Sequence, residues 1–182
     1  VLTVSFGIKV YALVPQLEGS TRCSLLTTAK GHLELLQWAR SRGCPWDELT
    51  TSSAALNGHL ELLQWARSQG CPWNEDTCSA AASNGHLEIL QWCRENSCPW
   101  NEETCSSAAG GGHLEVLQWA RANNCPWNAD TCVEAASSNQ LKIIKWARSQ
   151  GCLWDERVCY EAAYEGYLET LQCVELTVVL GM

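Results

Sequence analysis

Histidine and cysteine recur in this sequence at intervals that could serve chemistry. His32, His59, His86 and His113 stand 27 residues apart. A histidine can act as a general base or bind a metal. In later copies of the pattern Gln140 and Tyr167 take its place, and neither can replace a base, so a local polar contact at a turn is the expected role. Most of the 12 cysteines fall in two registers: Cys44, Cys71, Cys98, Cys125 and Cys152 in one, and Cys78, Cys105, Cys132 and Cys159 in the other. Cys71 and Cys78 lie seven apart, as do Cys98 and Cys105, Cys125 and Cys132, and Cys152 and Cys159. Zinc sites more often leave about two to four residues between paired cysteines. The expectation is reduced, buried thiols packed as small hydrophobes, with no metal and no cofactor.

Trp38, Trp65, Trp92, Trp119 and Trp146 make a third series, and a further tryptophan follows in each Cys-Pro-Trp or Cys-Leu-Trp triplet. Such rings could stack bases. A net charge of −8 opposes that, because a phosphate backbone is held by a basic footprint. Core positions are expected instead, and no nucleic acid partner. No Gly-rich phosphate loop, nucleophile motif or carboxylate pair is present, so the chain is not expected to be an enzyme. Glu61, Glu88 and Glu115 repeat as a solvated stripe.

The element that must position all of these is a 27-residue unit. Gly58 to Asn84 reads GHLELLQWARSQGCPWNEDTCSAAASN, and copies start at 31, 58, 85, 112, 139 and 166 without insertion or deletion. A fixed period of this size signals a stacked array. Each unit predicts two helices. One begins at His59 and runs LELLQWARSQ; Glu61, Gln64 and Ser68 give it one narrow polar stripe, so neighbours must cover the rest. Gly70 ends it in the left-handed region, with Gly43, Ser97, Asn124 and Gly151 as counterparts, Ser97 fitting least well. Cys71-Pro72-Trp73 is an extended connector. Asn74 caps the other helix, as do Asp47, Asn101, Asn128 and Asp155. Trp73 and Cys78 have the spacing of a hydrophobic staple. That helix runs to about Ser83, its Ala80, Ala81 and Ala82 permitting close approach, and Gly85 turns the chain back. A hairpin of this kind cannot bury its own apolar face, and stacking buries it.

A chain of 182 residues with 46% hydrophobic content suits one domain. No run of 18 apolar residues spans a membrane. Val1 to Val14 is apolar but carries Lys9 and lacks the flanks of a signal peptide. An intracellular place, cytoplasmic or nuclear, is therefore expected, and a monomer. The first residue is not Met, which suits a fragment.

The repeat resembles the ankyrin repeat. Thr77-Cys78-Ser79-Ala80-Ala81-Ala82 lies where that family starts its first helix, and Gly85-His86-Leu87-Glu88-Ile89-Leu90 is similar to the opening of its second. Ser68-Gln69-Gly70-Cys71 is similar to its close. The match covers 31 to about 172. The usual unit is longer, about 33 residues. Most of the missing length falls between Gly70 and Thr77, where ankyrin proteins project a β-hairpin finger, and a Cys-Pro-Trp turn stands in for it. The resemblance implies an all-α, right-handed solenoid of stacked helix-turn-helix units without long β-hairpin fingers. Finger contacts cannot be carried over. The organisation expected is a degenerate N-terminal segment (1–30, with a helix near Cys23 to Lys30), the array (31–172) and an aberrant tail (173–182).

The copies differ most along one helical stripe, at i, i+3, i+4 and i+7. Its members are Asp76, Ser79, Ala80 and Ser83; Glu103, Ser106, Ser107 and Gly110; Asp130, Val133, Glu134 and Ser137; Arg157, Tyr160, Glu161 and Tyr164; and Leu49, Ser52, Ser53 and Leu56 in the first full copy. In ankyrin arrays such helices line the concave surface, so the resemblance implies a strip that faces a protein partner, richest in anchors at Tyr160 and Tyr164. The function expected is a non-catalytic protein-interaction scaffold. The alternatives are a structural or non-functional fragment of a larger repeat protein and a cysteine-based metal-binding module. The tail Cys173 to Met182 breaks the pattern. One DNA string, TGG TGT CGA GCT AAC GGT TGT CCT TGG GAT G, encodes WCRANGCPWD, and deleting one G from its first codon gives CVELTVVLGM, the tail as it stands. A frameshifted repeat is expected there, and the nucleotide sequence decides it.

Overall fold

A computed structural model of the chain describes residues 22–172. The tail expected to be frameshifted, and most of the expected N-terminal segment, lie outside the described residues. Helices α1 (Arg22–Ala29), α3 (Glu48–Leu56), α5 (Glu75–Ser83), α7 (Glu102–Gly110), α9 (Ala129–Ser137) and α11 (Glu156–Tyr164) are the first members of successive hairpins. Helices α2 (Leu33–Ser41), α4 (Leu60–Ser68), α6 (Leu87–Glu95), α8 (Leu114–Ala122) and α10 (Leu141–Ser149) are the second members, and a further helical segment runs over 168–172. No strand occurs among the described residues. The expected helix near Cys23 is present as α1, which packs on α2 and α3 as the later first helices pack on their neighbours.

From α2 onward each helix has nine residues, shorter than the ~12–15 an isolated helix needs to persist in water. The ends are therefore fixed individually. Asp47, Asn101, Asn128 and Asp155 sit in extended backbone and accept a hydrogen bond from the amide two residues on, at 3.0–3.1 Å. Asn74 has the same backbone, but its amide group turns to Asp76 at 2.9 Å and caps nothing. His59 is the N-cap of α4 rather than its first residue. At the far end, Gly70 N donates to Arg67 O and Cys71 N to Ala66 O, at 2.9 and 3.0 Å, the paired closure that needs a left-handed residue. Ser97 takes that role at φ 64° and Asn124 at φ 63°.

Small residues decide the stacking. The densest helix packing runs between successive first helices, α3 on α5, α5 on α7 and α7 on α9, through fully buried Ala54, Ala81, Ala108 and Ala135. The second helices contribute the bulk: Leu62, Leu63, Leu90, Leu117, Ile143 and Ile144 are almost wholly buried. Removing a side chain of that size from water stabilises by about 1.5–3 kcal/mol, and most of this burial needs a neighbouring hairpin.

Thr50, Thr77, Thr104 and Thr131 are buried at one register of α3, α5, α7 and α9, where α11 has Val158, and Thr51 lies one residue on, at the register of Cys78. Thr51 Oγ1 donates to Glu48 O at 2.8 Å or Pro72 O at 3.0 Å and meets Thr77 Oγ1 at 3.3 Å. The hydroxyls of Thr104 and Thr131 are buried without a hydrogen-bond partner. An unpaired buried hydroxyl costs about 1–3 kcal/mol. Thr104→Val should therefore raise stability by about 1 kcal/mol, whereas Thr51→Val, which loses real bonds, should lower it by about as much. Urea unfolding of both variants checks the contrast in sign.

Candidate functional site

The histidines join units. His86 Nε2 lies 3.1 Å from Leu56 O, in the preceding hairpin, where Asn84 Nδ2 donates to the same carbonyl at 2.7 Å. A Cβ built on Gly58 would come within 2.8 Å of the His86 ring, one on Gly31 within 2.6 Å of His59, and one on Gly85 within 2.5 Å of His113. Each ring thus rests on the glycine turn of the unit before it, and Gln140 rests on Gly112 in the same way. The expected polar contact exists but crosses between units. Where Asn139 replaces the glycine, its own side chain accepts from Thr170 Oγ1 at 2.8 Å.

The tryptophans form a half-buried ladder along the edge of the core. Trp73 meets Trp92 of α6 edge-on, centroids 5.7 Å apart, and Trp46–Trp65, Trp100–Trp119 and Trp127–Trp146 repeat the pair at 5.8, 6.0 and 5.8 Å. A guanidinium covers each connector ring: Arg67 lies 4.0 Å over Trp73 and Arg94 4.2 Å over Trp100. The same arginines donate to the carbonyls of Cys71 and Cys98. Trp73, packed against the core that holds Cys78, also meets Arg67 and Trp92.

The connector cysteines tie each unit to the one before it. Cys71, Cys98, Cys125 and Cys152 donate Sγ–H to the carbonyl of the previous cap residue (Asp47, Asn74, Asn101 and Asn128) at 3.4–3.5 Å. Burial pushes the Cys71 thiol up to about 12, as expected for an inert thiol. The thiols that meet are separated by 20 residues, not seven: Cys105 with Cys125, and Cys132 with Cys152. In one unit a third joins them, and Cys78, Cys93 and Cys98 place all three sulfurs within 4.8 Å of one another. Spacing along the chain hid this group; the visible signal was Cys93, where the other units carry Ala39, Ala66, Ala120 and Ala147.

The variable stripe lies on the first helices, and stacking narrows it. Ser79, Ser106 and Val133 are buried between helices, with the Ser79 and Ser106 hydroxyls bound to Asp76 O and Glu103 O at 3.2 Å. Asp76, Glu103, Glu134, Arg157, Tyr160 and Tyr164 are exposed, and Ser83, Ser107, Asp130, Ser137 and Glu161 are half-buried. A groove crosses the middle of the strip, lined by Ser83, Glu103, Ser107, Gly110, Asp130 and Glu134. Its floor is small and its walls are acidic. At the end of the described array the Tyr160 and Tyr164 rings stack 6.0 Å apart. Arg157 bridges Asp130 at 2.7 Å and Asp155 at 2.8 Å, and its hydrogen bond holds the Asp155 carboxyl below its usual range.

No protein-family model matches the sequence, and no curated protein matches it. Among solved structures, the crystal structure of the human ASB11 ankyrin repeat domain is similar with a TM-score of 0.63 at 15% identity, over 82% of this chain and 80% of that one. The fold is accordingly that of an ankyrin-type array of stacked helix pairs. Its finger position is occupied by the Cys-Pro-Trp connector.

Proposed function

We propose that the array is a non-catalytic protein-interaction scaffold, and that its first-helix strip takes an extended segment bearing lysine or arginine. The observation that carries this reading is the groove over α7 and α9. Glu103 and Glu134 line it around the side-chain-free Gly110, beside Asp130, which is already paired with Arg157, so backbone can approach closely while positive side chains find the two glutamates. The likeness to an ankyrin array supports placing this strip on the concave side. Tyr160 and Tyr164, 63% and 73% exposed, offer the aromatic anchors that interfaces favour. No described helix is long and apolar enough to cross a membrane, and the strip is acidic, so neither a bilayer nor a nucleic acid is the favoured partner. The working compartment in this reading is cytoplasmic or nuclear, and the working form a monomer.

Selection of a random peptide display library on the full chain tests it. Lys- or Arg-containing segments should be enriched, and the joint change Glu103→Lys and Glu134→Lys should weaken a selected peptide at least tenfold, with binding falling as salt rises. Selected peptides that bind this variant and the Tyr160→Ala, Tyr164→Ala variant as well as the parent would overturn the proposal.

A further inference from the structure

Three thiols converge where one hairpin meets the connector that follows it. Cys78 comes from α5, Cys93 from α6 and Cys98 from the connector that follows. All three are fully buried, and their sulfurs lie within 4.8 Å of one another. The backbone presets two of them, because Cys98 N donates to Cys93 O at 2.9 Å in the helix closure, and Arg94 locks the Cys98 carbonyl. We propose that Cys78, Cys93 and Cys98 form a three-thiolate binding site for a soft monovalent ion, Cu(I).

The donor set selects the ion. Thiolates favour soft metals, Cu(I) and zinc foremost. Structural zinc takes four ligands, and this group offers three, with no other Cys, His, Asp or Glu placed within it among the described residues. A three-coordinate d10 ion needs no fourth ligand. Metal–sulfur bonds of about 2.3 Å around a trigonal centre put the sulfurs about 4 Å apart, so the group closes by a small movement. Binding replaces the thiol protons: Cu(I) and three thiols give a tris-thiolate of charge −2 and release three protons, with no change in oxidation state. The other units test the logic internally, since Cys105 and Cys125 flank Ala120, and Cys132 and Cys152 flank Ala147.

Anaerobic titration of the reduced full chain with Cu(I) against a chromogenic chelator is the decisive measurement. Cys93→Ala restores the residue of the other units and should fold normally, yet weaken the tightest Cu(I) site at least 100-fold. Ala120→Cys should create a second such site beside Cys105 and Cys125, and X-ray absorption of the one-equivalent complex should report three sulfur neighbours. Unchanged stoichiometry and affinity in Cys93→Ala would overturn the proposal, as would a tetrahedral zinc ion in the purified chain that this variant loses.

Discussion

Replacing Trp100 by Ala should destabilise the array by about 3 kcal/mol, at the lower end for loss of a large aromatic because the ring is only half-buried. Trp100 is held on both sides: Arg94 lies 4.2 Å over it and Trp119 meets its edge at 6.0 Å. The loss thus falls on the junction between the α5–α6 and α7–α8 hairpins. In a one-dimensional array, stability is close to a sum of unit and neighbour terms, so weakening one central junction should also divide the unfolding. Circular dichroism in urea should show one transition for the parent and two for Trp100→Ala. A single transition with an unchanged midpoint would show that the ladder carries no junction energy.

Gly85→Ala should cost about 2–4 kcal/mol, by two separate mechanisms. The residue has φ +74°, where an L side chain is strained by about 1–2 kcal/mol. Its added Cβ would also stand 2.5 Å from His113 Nδ1 and 2.9 Å from Cγ, so the ring must leave its seat and the contact between units is lost. Gly70 is the control. It has φ +80°, and a Cβ there would meet nothing within 4 Å; Asn124 already holds the equivalent conformation. Gly70→Asn should cost less than about 1 kcal/mol. A thermodynamic cycle separates the two mechanisms, because adding His113→Ala should recover the clash but not the backbone strain. Equal losses in Gly85→Ala and Gly70→Asn would remove the histidine–glycine contact as a determinant of stacking.

The sequence alone determined the period, the hairpin and most of the helix ends, because these depend on neighbours along the chain. Asp47 and Asn101 could be read as caps, and Gly70 and Gly85 as left-handed closures, since each acts within a turn of its own backbone. The need for stacking was legible too, in helices with only one polar stripe. Only the tertiary structure decided which residues meet across units, because that depends on how far one hairpin is displaced and turned against the next, a quantity no local preference encodes. It seated His86 on Gly58, edged Trp73 against Trp92, and buried Ser79, Ser106 and Val133 while leaving Tyr160 and Tyr164 exposed. It also joined Cys78 to Cys98 across 20 residues and set Cys93 beside them, where the chain had suggested only pairs seven apart. Packing of small first helices drew these groups together, and that close approach emerges only when the units are stacked.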